Sequence, residues 1–338
     1  MIMKLAKHIL SIVVFLFVAL SFVFLAERGM SATDKTQSSL DRVYPANDQN
    51  QFVGGPLMIA LPQEVRAPNI SSEVYFCQER MPLEFTDIYE RFDQELLRNT
   101  YWHSSTLLNM KRLGKYFDAI GAMFDRYNIP PDVRYLAIAE SNLSNVVSPA
   151  GAAGYWQFMK ATGSSYDLEI SSEVDERYHF EKATEAACLF LRDLHRQIAN
   201  DFPNTKTPWT LAAAAYNMGY PALKRAMTQQ QVDNYYDLHL NQETARYVFR
   251  ITAFKVILEH PEDFGYNLSQ NDLYAMEETY TVSVDTTLRD LTDFALSRGT
   301  TLKELKRLNP WLRSNTLTAS PSKPYVITLS SEPQVHQD

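Results

Sequence analysis

The sequence predicts a mainly α-helical body over residues 81–265, followed by a small βααβ unit over residues 278–330. Apolar residues recur at every third or fourth position from Pro82 onward, which is typical of amphipathic helices. Alternation typical of short strands is found only after residue 278. A length of 338 residues fits two domains, and 45% apolar with 21% charged residues is typical of a globular protein.

Composition excludes several functional classes. The chain has only two cysteines, Cys77 and Cys188, which excludes a disulfide scaffold and a cysteine-based zinc module. A net charge of −8 argues against binding nucleic acid by phosphate neutralisation. The sequence lacks the zinc-protease, nucleophile-elbow, phosphate-loop and dinucleotide fingerprints, and its histidines do not pair at ligand spacing. We therefore expect no metal, no cofactor and no nucleic acid partner.

Residues 1–30 are predicted to be a secretory signal peptide or an uncleaved membrane anchor. Residues 9–26 carry no charge, and 18 residues of helix span about 27 Å, enough for a bilayer core. Lys4 and Lys7 precede this segment and favour a cytoplasmic N-terminus. The small residues near position 31 fit a cleavage site poorly, which slightly favours the anchor. In either case the rest of the chain is exported.

Residues 31–80 are predicted to form a linker. Their first forty or so positions are rich in Ser, Asp, Asn, Gln and Pro and show no sustained period. The helical body begins where this composition ends.

The helices of the body follow from periodicity and end signals. Pro130-Pro131 opens a short helix, and Thr207 with Pro208 caps another that Gly219 ends. The first predicted helix carries Phe85, Ile88, Phe92 and Leu96 on one face, and the second begins after Ser104 or Ser105 and extends to Phe124. The remaining predicted helices are Asp132–Ser141, Ala183–Ala199, Pro208–Gly219 and Glu243–Leu258. Cys188 lies inside one of them and is expected to behave as a small buried hydrophobe.

The C-terminal unit is predicted from a change of period. Tyr280-Thr281-Val282 alternates like a strand, and Tyr325–Leu329 is similar. Between them lie two short runs at helical spacing, Leu288–Phe294 and Leu302–Leu308, the second ended by Asn309-Pro310.

Glu140 is the candidate for chemistry. It stands at the end of an apolar helix, before a loop rich in Gly and Ala over residues 142–154. Burial disfavours the charged carboxylate and raises its pKa, and a carboxylic acid that stays protonated near neutral pH can protonate a leaving oxygen. A lone glutamate at a helix end is more often simply solvated, so the neighbouring residues decide between these interpretations.

Three short motifs occur in order with suitable gaps: Glu140-Ser141, Gly154-Tyr155-Trp156-Gln157 and Ala215-Tyr216-Asn217. A further piece, Glu243 to Val248, follows them. Together the motifs resemble the family 1 lytic transglycosylases of bacterial cell walls, which have a lysozyme-like fold. The resemblance covers roughly residues 82–265 and is closest to the membrane-bound D type, in which LysM modules follow the catalytic domain. Tyr155 departs from the Leu or Ile frequent in the family.

The resemblance implies a peptidoglycan substrate and a reaction without external water. The family cleaves the β-1,4 bond between N-acetylmuramic acid and N-acetylglucosamine, and the muramoyl C6 hydroxyl closes a 1,6-anhydro ring. One carboxyl acts first as acid and then as base, whereas ordinary glycosidases use two. By matching, Glu140 is the acid/base, and the substrate-binding residues are Ser141, Gln157, Tyr216, Asn217 and Tyr247. Trp156 either stacks on sugar or belongs to the core, and core packing is favoured.

The C-terminal unit resembles a LysM module, a family that binds glycans containing N-acetylglucosamine. Asp285-Thr286 stands where that family prefers Gly-Asp, and the usual glycine before the last strand is missing. Glycan binding and a degenerate packing role therefore both stay open. Because the catalytic motifs end at Tyr247 and residues 263–273 are predicted to be a polar connector, the module is expected to be dispensable for catalysis on soluble fragments.

Two alternative functions stay open at this stage. One is a lysozyme-type muramidase, which would release a reducing end with water, and the other is an inactive wall-binding scaffold. The expected partners are peptidoglycan glycan strands, together with the membrane through residues 9–26 if that segment is not cleaved. The expected location is the bacterial cell envelope.

Overall fold

The computed structural model describes residues 65–331. The predicted signal peptide or anchor at residues 1–30, and most of the predicted linker, lie outside the described residues. Residues from Arg66 onward belong to one compact unit. Among the helices between residues 65 and 331, none combines the length and apolar character needed to span a bilayer.

A β-hairpin precedes the helices. Strands β1 (Val74–Phe76) and β2 (Glu79–Met81) pair antiparallel, and their turn residues have positive φ, as in tight hairpin turns. Phe76 and Met81 are fully buried in the main core. β2 ends at Met81, so the hairpin overlaps the last residues of the predicted linker 31–80, and this end of the linker is folded. The sequence did not predict the hairpin, because three-residue strands are too short to show a period.

The mainly α-helical prediction is confirmed. The helices of the body are α1 (Thr86–Tyr101), α2 (His103–Tyr127), α3 (Tyr135–Ser141), α4 (Lys160–Ser165), α5 (Phe180–Asp201), α6 (Pro208–Met218), α7 (Tyr220–Gln230) and α8 (Gln242–Glu259). Sequence periodicity missed α4, which is only six residues long, and α7, which starts directly after Gly219.

Helix α8 lies at the centre of the body. It packs against α1, α3 and α6, and its residues from Tyr247 to Phe254 are mostly buried. Four consecutive alanines of α6, Ala212 to Ala215, are buried and let the two helix backbones approach closely. The contact of α3 with α8 brings the end of α3 beside Tyr247.

The C-terminal module has the predicted βααβ order. Strands β3 (Thr279–Val284) and β4 (Tyr325–Ser330) pair antiparallel, with Thr279 opposite Ser330 and Val284 opposite Tyr325. Helices α9 (Leu291–Ser297) and α10 (Leu302–Leu308) lie between them in sequence. A second hydrophobic core, separate from that of the body, includes the fully buried Leu291, Leu305, Leu317 and Ile327.

The module is not separated from the body as the connector predicts. Its core also contains Val174 and Tyr178, which belong to the body. The connector itself is held against α2, since the Lys111 side chain donates to the Asp272 carbonyl at 2.9 Å. Just after the connector, the Tyr274 N–H donates to the Lys111 carbonyl at 2.8 Å. Polar residues gave the connector a linker composition, but these hydrogen bonds join its end to the body.

Trp156 is a core residue, as favoured from the sequence. Its side chain is fully buried (0% exposed), and the indole N–H donates to the Thr184 hydroxyl at 3.0 Å. We expect Trp156→Ala to lower the free energy of unfolding by about 3–5 kcal/mol, because it creates a large cavity and removes the donor to Thr184. Trp102, which is 63% exposed, supplies the control.

Urea unfolding followed by far-UV circular dichroism checks this prediction. Trp102→Ala should change the free energy of unfolding by no more than about 0.5 kcal/mol. Equal effects of the two substitutions would contradict a core role for Trp156.

Candidate active site

The position of Glu140 follows from how α3 ends. Leu136 to Ile138 are fully buried, so this seven-residue helix is fixed on the core side. Asn142 and Leu143 both adopt left-handed backbone conformations (φ 52°), which stop the helix directly after Ser141. Glu140 is therefore held in the last turn of a rigid helix, where its side chain reaches a cavity.

The cavity has a volume of about 260 Å³ and is lined mainly by polar side chains. They come from the end of α3, the loop 142–159, the end of α6 and one face of α8. The lining residues are Ala139, Glu140, Ser148, Gln157, Asn217, Glu243, Arg246, Tyr247 and Arg250. Four residues predicted from the sequence are thus brought together: Glu140, Gln157, Asn217 and Tyr247.

The Glu140 carboxyl has a raised pKa. Burial raises its pKa from the ordinary 4.5 to about 7, although the hydrogen bond from the Tyr247 hydroxyl and the positive charge of Arg250 both lower it. The negative charge of Glu243 adds to the increase. The carboxyl is thus divided between its acid and base forms near neutral pH, which suits a group that must both give and take a proton.

The two predicted tyrosines occupy different positions. Burial, with the nearby Glu140 carboxylate, raises the pKa of both Tyr247 and Tyr216 well above the ordinary value, so both phenols stay neutral donors. Tyr247 donates to Glu140 and lines the cavity. Tyr216 instead donates to the Trp156 carbonyl at 2.6 Å and so fixes the loop that carries Gln157.

The two amide side chains are oriented by their own hydrogen bonds. Gln157 has a positive φ of 50° and donates to the carbonyls of Val146 (3.0 Å) and Gly154 (2.8 Å). Asn217 accepts from the Thr244 hydroxyl at 2.8 Å and donates to Glu243 at 3.3 Å. Neither amide can turn without losing a hydrogen bond, so both present fixed polar atoms to the cavity.

Ser141 faces the protein rather than the cavity. It is 5% exposed, and its hydroxyl lies 2.7 Å from the Tyr155 carbonyl and 3.1 Å from that of Ala137. The hydroxyl also accepts from the Ser144 N–H at 3.3 Å. These contacts tie the end of α3 to the loop that follows it.

Sequence reasoning missed four polar residues of the cavity: Ser148, Glu243, Arg246 and Arg250. Glu243 and Arg250 lie four residues before and three residues after Tyr247 on α8, which places them on its face. Arg246 is held by the buried Glu95 carboxylate at 2.5 Å. Helical spacing would have grouped Glu243 and Arg250 with Tyr247, but nothing in the sequence indicates which face of α8 meets α3.

Over residues 65–331, no set of three or more His, Cys, Asp and Glu side chains is close enough to hold a metal ion.

The fold and the site define a class of protein. Residues 118–238 match the family model of the transglycosylase SLT domain, and residues 280–333 match that of the soluble lytic transglycosylase C-terminal LysM-like domain. The chain thus carries a lysozyme-like SLT domain followed by a small LysM-like domain, and the resemblance inferred from the motifs is confirmed.

The chain is also similar to individual proteins. The chain is 28% identical over 247 residues to the "Membrane-bound lytic murein transglycosylase D" of Escherichia coli (strain K12), covering 71% of this chain and 52% of that protein. It is 26% identical over 133 residues to a "Putative tributyltin chloride resistance protein" of Alteromonas sp. (strain M-1), covering 39% of this chain and 61% of that protein. This chain spans about half the length of its E. coli relative.

The raised pKa of Glu140 predicts a pH-dependent stability. Because the folded-state pKa (about 7) lies above the ordinary 4.5, the folded protein loses stability as pH rises between these values. Glu140→Gln removes this loss, so at pH 8 we expect the variant to exceed the parent by roughly 2–3 kcal/mol in free energy of unfolding. At pH 4 the two proteins should differ little.

Urea unfolding of the full chain at both pH values measures this difference. Glu84→Gln is the control, because Glu84 is exposed and its hydrogen bonds with Arg80 hold its pKa below the ordinary value. A Glu140→Gln protein that gains nothing between pH 4 and pH 8 would show that the Glu140 carboxyl is not desolvated.

Proposed function

We propose that this protein is a peptidoglycan lytic transglycosylase, a carbon–oxygen lyase that cleaves the bond between N-acetylmuramic acid and N-acetylglucosamine and leaves 1,6-anhydromuramoyl ends. The SLT domain match and the murein transglycosylase relative support the reaction class. The observation that carries the proposal is the state of Glu140: a carboxyl with a pKa near 7, placed in a polar cavity and contacted by a neutral phenol.

Glu140 serves in turn as acid and base. At neutral pH a substantial fraction is protonated, and this form donates its proton to the glycosidic oxygen as the bond to the anomeric carbon breaks. The resulting carboxylate then takes the proton of the muramoyl C6 hydroxyl while that oxygen attacks the anomeric carbon. The two steps return Glu140 to its protonated form, so one carboxyl completes the cycle.

The other cavity residues supply orientation and charge stabilisation. The Tyr247 hydroxyl donates a hydrogen bond to the Glu140 carboxylate, and this bond stabilises the charged form produced in the first step. Gln157 and Asn217 offer fixed amide groups to the N-acetyl substituents of the sugars. Ser141 and Tyr216 act indirectly, since their hydrogen bonds fix the loop beside the cavity.

A lysozyme-type hydrolase is the second candidate, and one observation favours it. Glu243 lines the same cavity as Glu140, so a second carboxyl is present where a hydrolase would need one. Its carboxylate is engaged by the Asn217 amide, which argues for a role in orientation. The inactive scaffold is disfavoured, because a scaffold has no need of a desolvated carboxyl in a polar cavity.

We further propose that the body and the module act in the bacterial cell envelope on glycan strands. The E. coli relative is described as membrane-bound, which supports this location. The predicted export segment at residues 1–30 agrees with it. We assign the catalytic domain to residues 81–265, with the hairpin of β1 and β2 added to its core, and the LysM-like module to residues 278–330.

Glu140→Gln should abolish turnover of purified peptidoglycan. An amide cannot give up a proton, and loss of general acid–base catalysis costs about 10²–10⁴-fold or more. Chromatography of the digest with mass spectrometry measures released products, and circular dichroism and sacculus pull-down confirm that folding and wall binding are retained. Near-parental product release by the variant would refute the assignment of Glu140.

The product masses separate the two enzyme candidates. Anhydro products lack one water relative to hydrolysis products. The Glu243→Gln variant should still form anhydro products, at a reduced rate, because Glu243 is not the group that transfers the proton. Reducing-end products from the parent protein, lost in Glu243→Gln, would instead establish the hydrolase.

Tyr247→Phe should move the alkaline limb of the pH–rate profile upward. The Tyr247 hydrogen bond lowers the pKa of Glu140, so its removal lets the pKa rise and the acid form persist to higher pH. The rate at the optimum should fall, since the carboxylate formed in the first step loses its donor. An unchanged alkaline limb in this variant would show that another group sets it.

A further inference from the structure

The loop between α4 and α5, residues 166–179, joins the C-terminal module to the body. An isolated β-bridge pairs Val174 with Leu312 of the module. The Asp175 N–H donates to the Trp311 carbonyl at 2.9 Å. The loop therefore forms a short ladder with the module, as a strand does with its neighbour.

Two carboxylates of this loop bind the module directly. Glu173 accepts hydrogen bonds from the Thr318 N–H at 2.7 Å and the Thr316 hydroxyl at 3.0 Å, and these bonds hold its pKa below the ordinary value. Glu169 pairs with Lys323 at 2.7 Å. Losing the module would leave both carboxylates without these partners.

The hydrophobic core of the module extends into the body. Val174 and Tyr178 are buried in it, and so is Ala153, which is fully buried. Ala153 belongs to the loop 142–159 that lines the Glu140 cavity. One residue of the active-site loop is thus packed in the core of the C-terminal module.

Arg177 connects the module-bound segment to the active-site loop. Its guanidinium donates two hydrogen bonds to Asp175, at 2.9 and 2.7 Å, and is mostly buried. Its Nη1 also donates to the carbonyls of Gly151 and Phe158, at 3.0 Å each. Only a planar guanidinium offers donors in both directions at once.

The backbone of Arg177 also touches this loop. Gly154 has a φ of +83°, and a Cβ at that position would lie 1.8 Å from the Arg177 carbonyl oxygen. Glycine is required there both by the backbone conformation and by this close approach. The segment and the loop therefore cannot shift independently.

The loop held by Arg177 carries two residues of the cavity. Gln157 lies between Gly151 and Phe158, whose carbonyls Arg177 binds, and Ser148 lies just before Gly151. The physical path runs from Trp311 and Leu312 of the module to Asp175 and Arg177, and from there to the Phe158 carbonyl, next to Gln157 in the chain. Its steps are backbone pairing and hydrogen bonds of 3.0 Å or less, and the last is the peptide bond between Gln157 and Phe158.

We propose that the C-terminal module is a positioning element of the Glu140 site, and that Arg177 is the positioning residue through which it fixes the loop 142–159. This inference rests on the proposed function for its catalytic consequence but not for its structural part. It replaces the expectation that the module is dispensable for catalysis on soluble fragments. The module acts here through protein contacts, whatever glycan it binds.

The test uses full-length variants that weaken the contact between residues 166–179 and the module and leave the residues of the cavity unchanged. Leu312→Ala shortens a buried side chain (2% exposed) of the module core at the residue whose backbone pairs with Val174, and Leu296→Ala is its control, since Leu296 is 64% exposed on α9. Glu173→Ala removes the acceptors for Thr316 and Thr318. Glu173→Gln keeps one carbonyl acceptor and should restore part of what Glu173→Ala loses.

Hydrogen exchange with mass spectrometry is the first readout. Peptides covering residues 142–159 should exchange faster in Leu312→Ala and Glu173→Ala, because hydrogen-bonded amides such as those of Ala153 and Phe158 open more often. Peptides covering β4 show whether the module itself remains folded. Unchanged exchange of the loop in both variants, with normal exchange in the Leu296→Ala control, would overturn the proposal.

Kinetics on soluble glycan fragments is the second readout, since wall binding plays no part there. Misplacement of Gln157 relative to Glu140 should lower kcat/KM, by up to about 10²-fold for a shift near 1 Å. Parental kcat/KM in both variants would overturn the catalytic part of the proposal. If the parent protein itself does not cleave the fragments, the proposed function fails, and the exchange data still decide whether the module fixes the loop.

Discussion

Burial of α8 is the constraint on which the rest of the body depends. This helix contacts α1, α3 and α6, so its orientation is fixed from three sides. A helix enclosed in this way has little freedom to rotate, and Tyr247 and Arg250 are therefore presented to α3 at fixed positions. The alanines of α6 make the enclosure possible, because larger side chains would separate the backbones and open the cavity.

The same enclosure sets the chemistry of Glu140. Removing a carboxylate from water is costly, and this cost raises its pKa. The hydrogen bond from Tyr247 and the charge of Arg250 offset part of that cost, so the pKa comes to rest near 7. Full burial without these partners would keep the group permanently protonated, and full solvation would keep it ionised. A carboxyl that must act as acid and then as base needs the intermediate condition.

The C-terminal module differs from a flexibly tethered binding module, because it packs against residues 166–179. A module joined by a flexible tether raises the local concentration of substrate and leaves the catalytic barrier unchanged. Here Val174 and Ala153 are buried in the module core, and Glu173 binds Thr318. Such a module is packed into the body, so its loss would expose apolar surface beside the loop 142–159.

Local sequence was sufficient for the helices whose ends carry strong signals. Pro208 begins α6 and Gly219 follows its last residue. The apolar helix and the small residues after it indicated Glu140 at the end of α3. The order of motifs around Glu140, Gln157 and Asn217 was enough to predict the class. By contrast, the hairpin and α4 were not predicted, because three to six residues are too few to establish a period.

Tertiary structure alone decided which polar residues meet. Ser141 has the sequence position of a site residue, yet the end of α3 turns its hydroxyl toward backbone carbonyls. Glu243 and Arg250 entered the cavity because α8 presents that face to α3, a choice made by packing between elements far apart in sequence. The polar composition of residues 263–273 likewise predicted a free connector, whereas shared cores and hydrogen bonds joined the module to the body. The sequence by itself determined periodicity, helix ends and the position of a glutamate at the end of an apolar helix, because these are local patterns. Contacts between side chains of distant segments are decided only when the helices pack.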